Sequence, residues 1–526
     1  MSHHVLIDGQ WRASVGTQTF QAINPATRGT IERQFPVSPW SEIEAAINAA
    51  DAAFRQTSGW SGDRFAEFLE QYAAGIESRA DLLIATANEE TALPVEPRLK
   101  TAELPRTIGQ LRQAAAAARE GSWRLATIDT AANIRSMLAP IGPVVVFGPN
   151  NFPFAFNSIA GGDFAAAIAA GNPVIAKGHS SHPETTRLFA EAAQHAAEAT
   201  GLPAGFVQLI YRCSHEDGAK LVAHPKVGSC GYTGARHAGL YLKEAADKSG
   251  KPIYLELSSI NPVCILPGAL DERLTALVDE FAGSCLMGAG QFCTNPGLVL
   301  LIKGGAADQF IDQVAVKFQA ATPGTLLGPG VEQSLRAGIV ALQRAGAEVV
   351  VGNQPGDPQR CCHANTLLKV SGAAFLENPH GLQEEAFGNC SLCVVADDVA
   401  QCVEILNHFE GNLTGCIYSD TQGSDDAAYA AIEPVLRRKV GRLLNDKMPT
   451  GVAVSPAMNH GGPFPATGHP GFTAVGIPAS LRRFAMLQCY DGVRQDRLPG
   501  ELGDRNPTGK LWRSIDGAWT QGDVSR

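Results

Sequence analysis

Four stretches of the chain carry residue types that could do chemistry. In Gly290-Gln291-Phe292-Cys293-Thr294-Asn295-Pro296, the Gly, Asn and Pro place a cysteine in a loop. A loop thiol can approach a substrate, and as a thiolate it is a nucleophile. Glu256, in Tyr254-Leu255-Glu256-Leu257-Ser258-Ser259, ends an apolar run. Burial there without a partner would raise its pKa, the condition for a general base near neutrality; a strand-end carboxylate capping a loop is the plainer reading. Phe147-Gly148-Pro149-Asn150-Asn151-Phe152-Pro153 follows another apolar run, and its asparagines serve either a turn or a hydrogen bond to a developing oxyanion. Tyr232-Thr233-Gly234-Ala235-Arg236-His237-Ala238-Gly239 is a glycine-bearing turn of the kind that lets phosphate approach a helix N-terminus, though not the Gly-x-Gly-x-x-Gly fingerprint.

These residues need elements to hold them. The Ala-rich segment up to about 120 reads as helical, for example over 42–54 and as one long pattern over 63–90. From 141 short β-rich runs alternate with helical ones: strands at 144–147, 174–176, 206–210, 227–232 and 253–257, and helices at 157–170, 183–199, 216–223 and 236–248. Such spacing predicts βαβ units in a parallel sheet, with ligands at the carboxyl ends of its strands. A second α/β series occupies about 262–450, with strands at 263–266, 298–302 and 349–351 and helices near 271–287, 306–320 and 332–345. Segment 122–139 could be a hairpin, pairing 123–127 with 133–138. The last 45 residues read as surface-wrapping or interface structure.

The 526 residues, 45% hydrophobic and 18% charged, suit a globular chain of two to four domains. A net charge of −10 offers nothing general to nucleic acid or anionic lipid. No run approaches the ~18 apolar residues of a membrane span, and Met1-Ser2-His3-His4 lacks a signal peptide's charged start. Twelve cysteines, none before Cys213 and irregularly spaced, read as reduced thiols of a cytoplasmic protein, mostly small core hydrophobes. Cys390 and Cys393 fit a strand better than a zinc or redox pair, and no metal site is expected.

Taken in order, the motifs give the chain a whole-length likeness. Asn151-Phe152-Pro153, Ala170-Gly171-Asn172-Pro173-Val174-Ile175-Ala176-Lys177, Thr233-Gly234 to Gly239, Glu256-Leu257, Gly290-Gln291-Phe292-Cys293-Thr294 and Glu384-Glu385-Ala386-Phe387-Gly388 stand together. The chain thereby resembles the NAD(P)-dependent aldehyde dehydrogenase superfamily. Within it, Arg135-Ser136-Met137, Lys177-Gly178-His179-Ser180-Ser181-His182-Pro183, Thr450-Gly451-Val452-Ala453-Val454, Asn459-His460-Gly461-Gly462-Pro463-Phe464-Pro465-Ala466-Thr467 and Arg482-Arg483-Phe484 are similar to the α-ketoglutaric semialdehyde (2,5-dioxovalerate) dehydrogenases. An NADP-dependent fatty-aldehyde branch shares much of the pattern.

The resemblance implies an α/β fold with a Rossmann-type cofactor domain (1–121 and 141–257), an α/β catalytic domain (258–455) and a bridging or oligomerisation element with tail (122–140 and 456–526), in a homodimer or homotetramer. It implies that Cys293 attacks the aldehyde, that Asn151 and the Cys293 N–H stabilise the oxyanion, and that Glu256 activates water against the thioester. Lys177 would bind the adenine ribose, Gly234 and Gly239 would shape the pyrophosphate turn, Glu385 would hold the nicotinamide ribose, and Phe387 would pack beside the nicotinamide. Two departures stand out. Ser180 replaces a glutamate of many NAD-preferring relatives, and Arg212 could pair with a 2′-phosphate unless it is simply a surface arginine; NADP is favoured over NAD. Asn150 stands where relatives often have Trp. The expected reaction is oxidation of α-ketoglutaric semialdehyde to 2-oxoglutarate. A medium- or long-chain aldehyde dehydrogenase is the alternative, and a non-catalytic relative with the same fold is the alternative from another class.

Overall fold

The structure, a computed structural model, describes residues 2–525. Of the expected N-terminal unit and C-terminal tail, only Met1 and Arg526 lie outside the described residues. Apolar, β-branched runs become strands buried on both faces, as a parallel sheet between helices requires. Val144–Phe147, Val174–Lys177, Val207–Ile210, Ser229–Thr233 and Ile253–Glu256 are mutually parallel. Their spatial order begins at Ile253–Glu256 and runs through Ser229–Thr233, Val144–Phe147 and Val174–Lys177 to Val207–Ile210. The chain therefore works outward in both directions from Val144–Phe147. The strand order reverses between Val144–Phe147 and Ser229–Thr233, and the loops leaving their carboxyl ends diverge and open a crevice. Helices cover the faces. Trp40–Gln56, for instance, buries Ile43, Ala46, Ile47 and Ala50, one helical stripe at three- and four-residue spacing.

A second sheet runs in the order Glu348–Val351, Thr366–Ser371, Cys390–Ala396, Leu298–Ile302, Val263–Ile265, Asn412–Tyr418 and Val440–Asn445, parallel except at its first strand. A third sheet draws on distant segments: Ala485–Asp491, Ile134–Pro140, Thr127–Asp129, Arg513–Ile515 and Ala518–Thr520. Among the described residues no helix is long and apolar enough to cross a membrane.

Several expectations need correction. The first 36 residues are not helical: Val5–Ile7 pairs with Gln10–Arg12 and extends the first sheet, and Thr19–Ile23 pairs with Thr30–Pro36. The reason lies in Asp8-Gly9, both at positive φ (54° and 70°), a two-residue hairpin turn whose twist suits the flanking strands. The long helical pattern over 63–90 is two helices, Gly62–Glu77 and Ala80–Thr91, divided where the Ser78 hydroxyl donates to the Gly75 carbonyl (2.9 Å) and competes with the ladder. The helix expected from 157 starts only at Gly162, because the Asn157 side-chain amide bonds the Pro153 carbonyl (2.9 Å) and fixes a turn. The hairpin at 122–139 exists, but its first strand is Thr127–Asp129; Trp123 lies buried in a short helical turn, Ser122–Arg124.

The cysteines divide as their surroundings dictate. All twelve are free, and Cys390 and Cys393, three apart on one strand, enter apolar clusters on opposite faces of the second sheet. Cys489 is exposed rather than packed, and Cys213 and Cys293 are half-buried.

Candidate active site

The helix Pro267–Leu286 gives way to Gly288, Ala289 and Gly290, all at positive φ. This left-handed run turns the chain sharply into the loop that carries Cys293. Gly290 is obligatory there, since a Cβ would stand 2.0 Å from the Gly388 carbonyl oxygen. The Asn261 side-chain amide clasps the loop from below, donating to the carbonyls of Cys293 and Asn295 (both 2.9 Å).

Glu256 ends its strand at the carboxyl edge of the first sheet, and its neighbour Leu257 donates to the Ala466 carbonyl (2.8 Å). That contact brings in the loop from 459 to 467, and with it His460. The imidazole Nε2 lies 2.9 Å from Glu256 Oε1 and 3.3 Å from Cys293 Sγ, with His460 and Glu256 both buried. Glu256 is therefore not the unpartnered carboxylate expected. Its second oxygen is buried with no partner among the described residues. Burial holds the Cys293 thiol well above its ordinary pKa and the Glu256 charge adds to this, while the Arg106 guanidinium opposes. A thiol so placed needs a base within reach to become a nucleophile, and the His460 imidazole and the Glu256 carboxylate are the groups beside it. The trio has metal-ligand residue types within 4.8 Å of one another, but hydrogen bonds between its members already give the contacts a chemical reason.

Asn151 is buried and reaches the same loop from the first sheet, its Nδ2 donating to the Gln291 carbonyl (3.0 Å). The amide has a second N–H for a substrate oxygen. Asn150 beside it is half-buried. Next to Phe292 opens a cavity of about 660 Å³, lined mostly by apolar groups including Phe152, Phe292, Met287 and Val452, with Arg98 and Arg106 among them.

Across the site lie the expected cofactor residues. Lys177 and Ile210 are cross-strand partners at the carboxyl edge, with the exposed Arg212 two residues on. Burial lowers the Lys177 pKa and the Arg212 charge lowers it further, so the two cations share one corner. Ser180, half-buried, stands in the loop leaving Lys177 and brings no charge. Gly234 follows Ser229–Thr233 at the crevice, donating to the Glu256 carbonyl (3.1 Å). Gly239 is different. It lies inside the helix Arg236–Lys248, where a Cβ would meet Leu257 Cδ2 at 2.5 Å, so it seats helix on sheet. Arg236, in the same turn, is tied to Glu410 (2.8 Å). Glu385 accepts from the Ser259 N–H (3.2 Å), and burial pushes its carboxyl up to about 7. Glu385, Phe387, Gly290 and Phe292 line one small pocket.

Sequence reasoning missed His460, Asn261, Arg98 and Arg106. His460 sat within a quoted motif without a role; only its contacts, 204 and 167 residues away, supply one.

Comparisons with known proteins agree on the kind of chain this is. The sequence model of the Aldehyde dehydrogenase family matches residues 11–436. "Alpha-ketoglutaric semialdehyde dehydrogenase 2" of Azospirillum brasilense is 40% identical over 503 residues, 93% of this chain and 94% of that one. "Alpha-ketoglutaric semialdehyde dehydrogenase" of Acinetobacter baylyi is 36% identical over 528 aligned residues, 98% of each chain. Among solved structures, betaine aldehyde dehydrogenase from Staphylococcus aureus in complex with NAD+ superposes with a TM-score of 0.80 at 20% identity, covering 93% and 94% of the two chains. PnpE in complex with nicotinamide adenine dinucleotide gives 0.79 at 21% identity, covering 94% and 99%, as does PnpE from Pseudomonas sp. WBC-3.

Proposed function

The chain belongs to the aldehyde dehydrogenase family, an NAD(P)-dependent oxidoreductase, and from that premise we propose that it oxidises α-ketoglutaric semialdehyde (2,5-dioxopentanoate) to 2-oxoglutarate, using NADP+ in preference to NAD+. The observation that carries the substrate is the full-length likeness to two relatives bearing that name.

The residues divide the work by position. In the tautomer with its proton on Nδ1, His460 Nε2 takes the proton from Cys293 Sγ, and the Nε2–H so formed donates to Glu256 Oε1. The thiolate adds to the aldehyde carbon, and the free N–H of Asn151 donates to the oxyanion. Bound NAD(P)+ supplies the acceptor for the hydride that leaves that carbon, and the adduct on Cys293 becomes a thioester. Glu256 Oε2, buried and otherwise unpartnered, accepts the proton of the attacking water; hydrolysis returns the thiol and releases the acid. The crevice at the strand-order reversal suits the dinucleotide, with Gly234 at its mouth, Glu385 and Phe387 at the nicotinamide end, and Lys177, Ser180 and Arg212 at the adenosine end. The Lys177 and Arg212 cations at that last corner favour a 2′-phosphate.

A second reading, a medium- or long-chain aldehyde dehydrogenase, is favoured by one observation: the apolar lining of the cavity beside Phe292. Turnover of 2,5-dioxopentanoate, hexanal and decanal, each with both cofactors, separates the two. The proposal expects kcat/KM for the acid to exceed that for either neutral aldehyde by about tenfold or more, the effect of one charge-assisted hydrogen bond. Faster use of hexanal or decanal would replace it with the second reading.

A further inference from the structure

A substrate ending in a carboxylate needs a cation at the far end of its cavity, and the sequence alone names none. The cavity beside Phe292 holds two guanidinium groups within an otherwise apolar lining. Arg98 comes from the widened helical turn Val95–Glu103 and is already committed. It donates to the Asn151 carbonyl (2.6 Å), lies 3.4 Å from Glu103 Oε2, and stacks over the rings of Phe152 and Phe292 at 4.1 and 4.7 Å.

Arg106, on the following helix Leu104–Glu120, lies over the rings of Phe156 and Phe152 at 5.3 and 5.8 Å but is less fully hydrogen-bonded. Nη1 donates to the Val452 carbonyl (3.0 Å), but Nε and Nη2 are buried with no partner among the described residues. Glu103, the carboxylate of this lining, makes no hydrogen bond to Arg106, though its charge reaches it: Oε1 accepts the N–H groups of Phe154 and Ala155 (2.8 and 3.1 Å) and Oε2 lies 3.4 Å from Arg98. Buried donors are nearly always satisfied, and a guanidinium with two open N–H groups fits a carboxylate edge. Phe152 and Phe292, the chain neighbours of Asn151 and Cys293, line the same cavity as Arg106, so the cavity opens beside the reacting residues.

We propose that Arg106, braced beside Arg98, receives the carboxylate of the substrate and so selects a short acid semialdehyde over a neutral aldehyde. This deepens the acid-semialdehyde reading above and rests on it. A neutral chain of the same length would leave the Arg106 donors buried and unpaired, which is the stronger source of discrimination.

The test compares 5-oxopentanoate with pentanal in the full-length enzyme and in Arg106→Gln and Arg106→Lys. The quantity read is the ratio of kcat/KM for acid over neutral substrate, which a general loss of folding or of thiol reactivity does not move. In Arg106→Gln the ratio should fall roughly 10- to 100-fold, the range of one hydrogen bond to a charged group, mostly through KM for the acid. Arg106→Lys should retain part of it. Glutarate should compete with pentanal in the wild-type enzyme and lose that competition in Arg106→Gln. If the wild type itself prefers pentanal, the acid-semialdehyde reading falls and this proposal with it. If the wild type prefers the acid and Arg106→Gln keeps both the ratio and glutarate inhibition, that reading stands and the assignment to Arg106 is overturned.

Discussion

Lys177, Ser180 and Arg212 stand at or just beyond the ends of two adjacent strands, half-buried or exposed, whereas a half-buried loop residue, Cys293, meets two fully buried ones, Glu256 from a strand end and His460 from a late chain segment. At the rim, Arg212 is exposed and water screens its charge, so on the proposed reading it contributes modestly and acts on the choice between the two dinucleotides. In the interior, the same burial that holds the thiol protonated makes every partner group strong, so removing one is costly. The first region should therefore tune, and the second should govern turnover.

The largest expected effect is at His460. His460→Asn should lower kcat/KM roughly 100-fold, within the range for a lost general base. Alkylation of Cys293 by iodoacetamide should slow with it, and activity should climb with pH, because the thiol pKa is raised and the thiolate fraction grows as pH approaches it. Wild-type alkylation rates in this variant would break the contrast. Next comes Arg212→Ala, for which kcat/KM with NADP+ should fall about tenfold while that with NAD+ stays within about twofold. Equal losses with both would make Arg212 a structural residue. The smallest effect is at Glu385. Burial raises its carboxyl to about 7, so it is neutral below that pH and charged above it. A charged carboxylate accepts ribose hydroxyls more strongly, so KM for the cofactor should fall about threefold from about pH 6 to about pH 8. Glu385→Gln should flatten that dependence.

The strands beneath the rim were legible as continuous apolar runs, such as Val144–Phe147 and Val174–Lys177, whereas Lys177, Ser180 and Arg212 were singled out only by the family resemblance. The Cys293 loop and Glu256 were legible through glycine-rich turns and a strand end. The N-terminal hairpin carried a signal too, the Asp8-Gly9 turn, which alanine-rich helical composition farther along outweighed. His460 could not be placed from its neighbours, since its function lies in contacts made across the fold by one ring nitrogen. Arg106 was harder still. Among 42 basic residues nothing local distinguishes it, and only burial against an apolar cavity leaves its donors open.

The central claim is that turnover passes through a thioester on Cys293 that Glu256 and its surroundings resolve. Intact-protein and peptide mass spectrometry of Glu256→Gln, mixed with 2,5-dioxopentanoate and NADP+, tests it most directly. The account predicts about one equivalent of NADPH formed in a burst, with an acyl adduct on the peptide containing Cys293 and none in a Cys293→Ala control. Steady turnover without an adduct, or NADPH formed by Cys293→Ala, would contradict it.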